Sequence, residues 1–263
     1  MTTQISQIDE FYHQPDGRLV AQLLRPKLTP HMTQGTGLTR AGFGYPFAFL
    51  PATDQMPVLI PEECGALAYN SASGIITASC QSDRWPIASE MLDHLTICHG
   101  LEFVHNAKAC LAEAHRTLCG SGQLLLMVPH RRSLWVRSDE TPLGQGKPFS
   151  RRQITMLLHQ SGFEITSVRR ALFVPPVGLK LGPRVAHLME TYGHNWFGMF
   201  GGVMIITATK QIYAMHPPAP MTPIKALSGW LGGQMGDVHP NHSPHETPDK
   251  MQRTTHHRAG VSG

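Results

Sequence analysis

Charge is scarce in this sequence. Asp, Glu, Lys and Arg make up 15% of its 263 residues, against about 25% in an ordinary globular domain. The net charge of +4 is a mild excess that permits an anionic partner, nucleic acid included, without indicating one. The five cysteines, Cys64, Cys80, Cys98, Cys110 and Cys119, are odd in number and contain no C-x-x-C pair. They read as reduced, mostly buried thiols acting as small apolar residues, and they point to a reducing, cytoplasmic compartment. His94, His99 and His105 do not stand at metal-ligand spacing, so no metal is expected. No apolar run approaches the roughly 20 residues that span a bilayer, and no membrane is expected. MTTQISQIDEFY lacks the basic-then-apolar order of a signal peptide.

Glycine (25) and proline (21) are plentiful, which predicts long irregular connections around one sizeable core. The most informative stretch is Met91 to Trp135. Leu92 to Cys98 is an apolar run of strand length. From about Asn106 to Leu118 the period becomes helical, with Val104, Ala107, Leu111, Ala114 and Leu118 on one face. Cys119-Gly120-Ser121-Gly122 predicts the helix stop, and Leu124 to Val128 is a second strand closed by Pro129. Strand, helix and strand joined by short loops make a βαβ crossover and imply a parallel sheet.

Around this unit the pattern predicts a short helix from Arg18 to Arg25 ended by Pro26. Strands are expected at Val58 to Ile60, Gly74 to Ala78, Phe163 to Val174 and Gly202 to Tyr213. Ser150 is placed to cap a helix running to Ser161, and Leu181 to Tyr192 is expected to be helical after Pro183. From Ala214 the composition turns to Pro, Gly and His with few large apolar residues. The expected organisation is therefore one α/β domain over 1–213 and a disordered tail over 214–263.

Three segments carry a family resemblance. Leu101-Glu102, then Arg116-Thr117-Leu118-Cys119-Gly120-Ser121-Gly122, then Leu124-Leu125-Leu126 resemble the LEH…RvLkPGG.lll passage of class I S-adenosylmethionine-dependent methyltransferases. Phe103 stands where that passage usually has His, and Gly-Ser-Gly replaces Pro-Gly-Gly. VPHRRSLW, with TPLGQGKPFS further on, resembles a bacterial subgroup of type 11-like methyltransferases that has VPNRRGLW…TPFGHGRPYS. The resemblance implies a Rossmann-like sandwich, mostly parallel, with an antiparallel C-terminal strand.

It also implies S-adenosylmethionine as cofactor, with Gly42 and Gly44 in the first motif, where the backbone must approach the methionyl group. Arg40 or Thr39 occupies the region where that motif has its acid. Glu62 or Glu63, just past the second strand, is implied as the ribose acceptor. Gln81 and Ser82 would lie beside the adenine, ahead of Asp83-Arg84-Trp85-Pro86-Ile87, with Gln81 in place of an acid. His99, at the end of the first βαβ strand, is a candidate cofactor contact or base, and His130 a second candidate base. Arg131, Arg132 and Trp135 form a candidate substrate cluster for a substrate that remains unidentified. The missing acids motivate a rival reading, a methyltransferase-like scaffold that binds without catalysing. A third reading is an RNA-associated protein using Arg131, Arg132, Arg151, Arg152, Arg169 and Arg170.

Overall fold

A computed structural model of the chain describes residues 4–33, 37–65, 75–138, 141–196 and 201–211. All of them lie in the first of two units into which the chain divides, Met1–Met215. The tail expected over 214–263 lies outside the described residues.

Two helices lead, α1 (Gln4–His13) and α2 (Pro15–Met32). Strands β1 (Arg40–Gly44), β2 (Val58–Pro61), β3 (Thr77–Cys80) and β4 (Leu92–Cys98) follow. Then come α3 (Ala107–Thr117), β5 (Leu118–Pro129), the single turn α4 (Pro142–Gln145) and α5 (Arg151–Gln160). The chain closes with β6 (Phe163–Ala171), the short α6 (Pro176–Leu179), α7 (Pro183–Trp196) and β7 (Val203–Lys210). The seven strands form one sheet in the order β3-β2-β1-β4-β5-β7-β6. The first five are parallel, and β7 runs antiparallel to both β5 and β6.

Strand periodicity sorts the central side chains between two cores. Leu125 and Met127 of β5 join α1 and α2 on one face, while Leu124, Leu126 and Val128 join α3 and α5 on the other. A sheet covered on both sides explains why its strands read as continuous apolar runs. Among the described residues no helix is long and apolar enough to cross a membrane.

The βαβ unit at β4-α3-β5 and the capping box at Ser150 are both present, the latter reciprocal with Gln153. Three expectations are corrected. Pro26 does not end the second helix: α2 continues to Met32 with Pro26 and Pro30 inside it. Both prolines are exposed, while Leu28 and Met32 anchor the last turns in the core. Cys119–Gly122 is not a loop but the irregular entry of β5. Leu92 pairs with Leu118, and the ladder resumes at His94 opposite Gln123, so the glycine run is a bulge. The third strand begins at Thr77; Gly74, its expected start, lies outside the described residues.

Candidate functional site

In an open α/β sheet, ligands bind outside the carboxyl ends of the strands where the strand order reverses. Here that point lies between β1 and β4. The chain leaves β4 at His99, which has φ 45°, an uncommon left-handed conformation for a residue with a side chain. This turn aims the imidazole back into the protein. Its Nδ1 lies 3.2 Å from Glu102 Oε1, and its Nε2 lies 2.7 Å from the Tyr12 hydroxyl, which α1 delivers. In the tautomer with its proton on Nδ1, the ring donates to the Glu102 carboxylate and accepts the Tyr12 hydroxyl proton at Nε2. All three side chains are buried, and Glu102 Oε2 has no partner. Burial first, then the carboxylate of Glu102, push the Tyr12 phenol well above its ordinary range, so it stays protonated.

Tyr45, the first residue after β1, stacks on Tyr12 at 5.7 Å and donates to Asp9 Oδ1 at 2.7 Å. Phe49 packs edge-on against Tyr12. Tyr12, Tyr45, Phe49 and His99 are therefore buried together over the reversal point. The thiols nearby are quiet: burial, then Glu102, push Cys98 and Cys64 upward, and burial with Glu62 beside it pushes Cys80 up to about 12.

Gly44 has φ +85°, and a Cβ there would meet the Cys98 carbonyl at 2.4 Å and the His99 carbonyl at 2.7 Å. A Cβ at Gly42 would meet Pro46, Met56 and Val58 side chains. Both glycines are thus accounted for by the packing of β1 on its own neighbours. Arg40 opens β1 at its amino end, where it grips Asp54 at 2.8 and 3.1 Å and the Met32 carbonyl at 2.7 Å. Its charge is neutralised there and does not reach the ligand edge.

At the carboxyl end of β2, Glu62 is exposed and Glu63 turns inward. Ser82, buried, donates to Glu63 Oε1 at 2.5 Å, and His105 stands 3.7 Å away. Burial works to raise the Glu63 carboxyl, but the bonds from Ser82 and from its own backbone, with His105 beside it, hold it below the ordinary range. Its Oε2 is buried without a partner. Gln81 is exposed and bridges to Arg84. Trp85 is core: it stacks on Phe43 at 4.7 Å.

His130 directly follows β5, with its Nδ1 buried and unpartnered. Burial and then Arg170 lower its pKa, so it is neutral at pH 7. The candidate substrate cluster does not converge. Arg131 is exposed and donates to the Pro148 carbonyl, Arg132 is exposed, and Trp135 is buried with Nε1 donating to the Val174 carbonyl at 2.8 Å. Sequence reasoning placed His99 at the ligand edge but did not identify Tyr12 or Glu102 as its partners. Glu102 was detectable three residues on; Tyr12, 87 residues away, left no local signal.

No protein-family model matches the chain, and no curated protein matches it. Solved structures do. An S-adenosylmethionine-dependent methyltransferase from Thermotoga maritima, a possible histamine N-methyltransferase, superposes with a TM-score of 0.58 at 17% identity, over 80% of this chain and all of that one. A similar enzyme from Archaeoglobus fulgidus gives 0.55 at 14%, over 77% and 97%. The fold is the class I methyltransferase fold. The [4+2]-cyclase SpnF, at 0.51 and 14% over 72% of this chain and 80% of that one, shares the fold too. At such identities the likeness fixes architecture and leaves chemistry to the site.

The methyltransferase neighbours named above depend on S-adenosylmethionine, and the residues of this chain fit that group at one end. Glu63, with an orphaned buried oxygen at the end of β2, offers an acceptor for ribose hydroxyls. The methionyl end does not fit as it stands, because Tyr12, Tyr45, Phe49 and His99 fill the reversal point and Gly44 is closed against β4.

Proposed function

We propose that the chain is an S-adenosylmethionine-dependent methyltransferase of the type 11-like subgroup. The observation that carries this reading is Glu63: a carboxylate at the end of the second strand, steadied by Ser82, with one buried oxygen still to be satisfied. S-adenosylmethionine supplies an activated methyl group to a substrate nucleophile, so the protein's part is to position the reactants and exclude water. Glu63 binds; Glu62 and Gln81, both exposed, lie at the margin of the site. His99 has its Nε2 already bonded to Tyr12, so it acts as a base only by way of that hydroxyl, with Glu102 fixing its tautomer. His130 is the second candidate base at the same edge. Gly42 and Gly44 shape the β1 turn.

The filled reversal point favours a second reading, a methyltransferase-like scaffold that binds without catalysing. Thermal unfolding separates the two. A ligand bound only by the folded state adds about 2.7 kcal/mol at one hundred times its dissociation constant, and each kcal/mol raises the Tm of a chain this size by roughly 2–4 °C. Saturating S-adenosylmethionine or S-adenosylhomocysteine is expected to raise Tm by about 5–10 °C, and Glu63→Gln to remove most of that rise. No shift and no calorimetric heat at millimolar cofactor would leave only the scaffold.

A further inference from the structure

On the α2 side of the Tyr12–Tyr45 pair lies a cavity of about 340 Å³, within the size range of small-molecule sites. One wall is a stripe of α2. Arg18, Gln22 and Arg25 stand at i, i+4 and i+7, the spacing that puts three side chains on one helix face. Facing them are the rings of Tyr45 and Phe47, packed edge to face at 5.2 Å. The lining contains two guanidinium groups and no carboxylate. Asp9, which Tyr45 reaches from this wall, is held by Tyr45 and His13. Among the described residues, no carboxylate pairs with Arg18 or Arg25. Arg25 spends only its Nε, on the Ala48 carbonyl at 2.8 Å, which fixes the guanidinium plane and leaves its terminal nitrogens to donate.

Two guanidinium groups on one wall and an aromatic pair on the other, its Phe47 ring half-buried and its Tyr45 ring buried, have a defined complement. Guanidinium recognises carboxylate and phosphate oxygens through paired donors, and ring faces recognise a flat apolar body. We infer that this cavity is a binding site for a small organic anion, a carboxylate or phosphate monoester carried on a planar ring. The site rests on α2 and the segment after β1, not on Glu63, and it stands whether or not the chain transfers a methyl group.

Phenyl phosphate and benzoate are the probes, with inorganic phosphate and phenol as controls, titrated calorimetrically into the full chain. At least one of the two ring-bearing anions should bind at least about ten-fold more tightly than either control, a difference of about 1.4 kcal/mol. Comparing phenyl phosphate with benzoate tells which anion the arginines prefer. Arg18→Ala should weaken that binding by about ten-fold. Because Arg18 has no part in the Arg25–Ala48 bond, its loss reads binding and not folding. Arg25→Lys, which keeps the charge and loses the fork, should weaken it too. Absence of binding by both ring-bearing anions, equal affinity for inorganic phosphate, or indifference to Arg18→Ala would each overturn the site. The S-adenosylhomocysteine-induced rise in Tm, measured on Arg18→Ala, should match that of the unaltered chain. Anion binding without any cofactor shift would retain this site and remove the methyltransferase reading; the reverse result would do the opposite.

Discussion

The crossover from β4 to β5 and the crossover from β1 to β2 meet the same geometric demand by different means. Between β4 and β5 the chain supplies its own helix. α3 is capped by Asn106, whose side chain accepts from the Ala109 amide at 3.1 Å, and it buries Cys110, Leu111 and Ala114. Between β1 and β2 it supplies only a turn of 3-10 helix, Phe47–Phe49. The cover for that face comes from α2, earlier in the chain. Thr29 donates to the Phe49 carbonyl at 2.9 Å, Arg25 to the Ala48 carbonyl at 2.8 Å, and Arg40 returns to the Met32 carbonyl at 2.7 Å. A parallel pair needs its face covered; it does not need the cover to lie between its strands in sequence.

If α2 replaces a crossover helix, its core contacts should matter as much as those of α3. Leu24→Ala and Leu111→Ala remove fully buried side chains from the two covers, and each should cost about 2–5 kcal/mol in urea unfolding. A cost below about 1 kcal/mol for Leu24→Ala alone would break the comparison and make α2 peripheral.

The next effect contrasts two glycines with positive φ. At Gly182 (φ +93°) nothing lies within 4 Å of a new Cβ, so Gly182→Ala should cost only the left-handed conformation, about 1 kcal/mol. At Gly44 the Cβ also meets the Cys98 carbonyl at 2.4 Å. Gly44→Ala should therefore cost about 3 kcal/mol or more, since overpacking adds about 1–3. Equal costs would show that β1 and the end of β4 can separate, as a ligand at the reversal point requires.

Single bonds are smaller. Thr29→Val removes the bond from α2 to the β1–β2 turn and should cost about 1 kcal/mol; Asn106→Ala removes the α3 cap at a similar cost of about 1 kcal/mol. Acid should act unevenly on the two regions. His94 on β4, His115 on α3 and His130 just after β5 have lowered pKa values caused first by burial. The folded chain thus binds fewer protons than the unfolded chain. Their contribution is complete above the ordinary histidine value near 6.5 and is lost as pH falls through the lowered folded values. Glu63, on the β1–β2 side, is also lowered, so its contribution fades only below the ordinary carboxylate range. The urea midpoint should fall gently from about pH 6.5, and His115→Asn should flatten that limb while leaving the steeper carboxylate limb unchanged.

The sequence by itself determined β4-α3-β5, the capped α5 and the final strand, because side-chain periodicity and helix caps are local properties that show in the order of residues. It also placed His99 and the Glu62-Glu63 pair at strand ends. It did not determine that α2 runs through Pro26, because the burial that holds Leu28 and Met32 comes from partners far along the chain. Which of two adjacent acids turns inward, and whether Trp135 stacks on a ligand or fills the core, depended on what packs beside them. The joining of Tyr12, His99 and Glu102 was decided only by tertiary structure. Side chains 87 residues apart share no local pattern, and a buried imidazole takes whichever hydrogen-bond partners the packing of helix against sheet brings within reach.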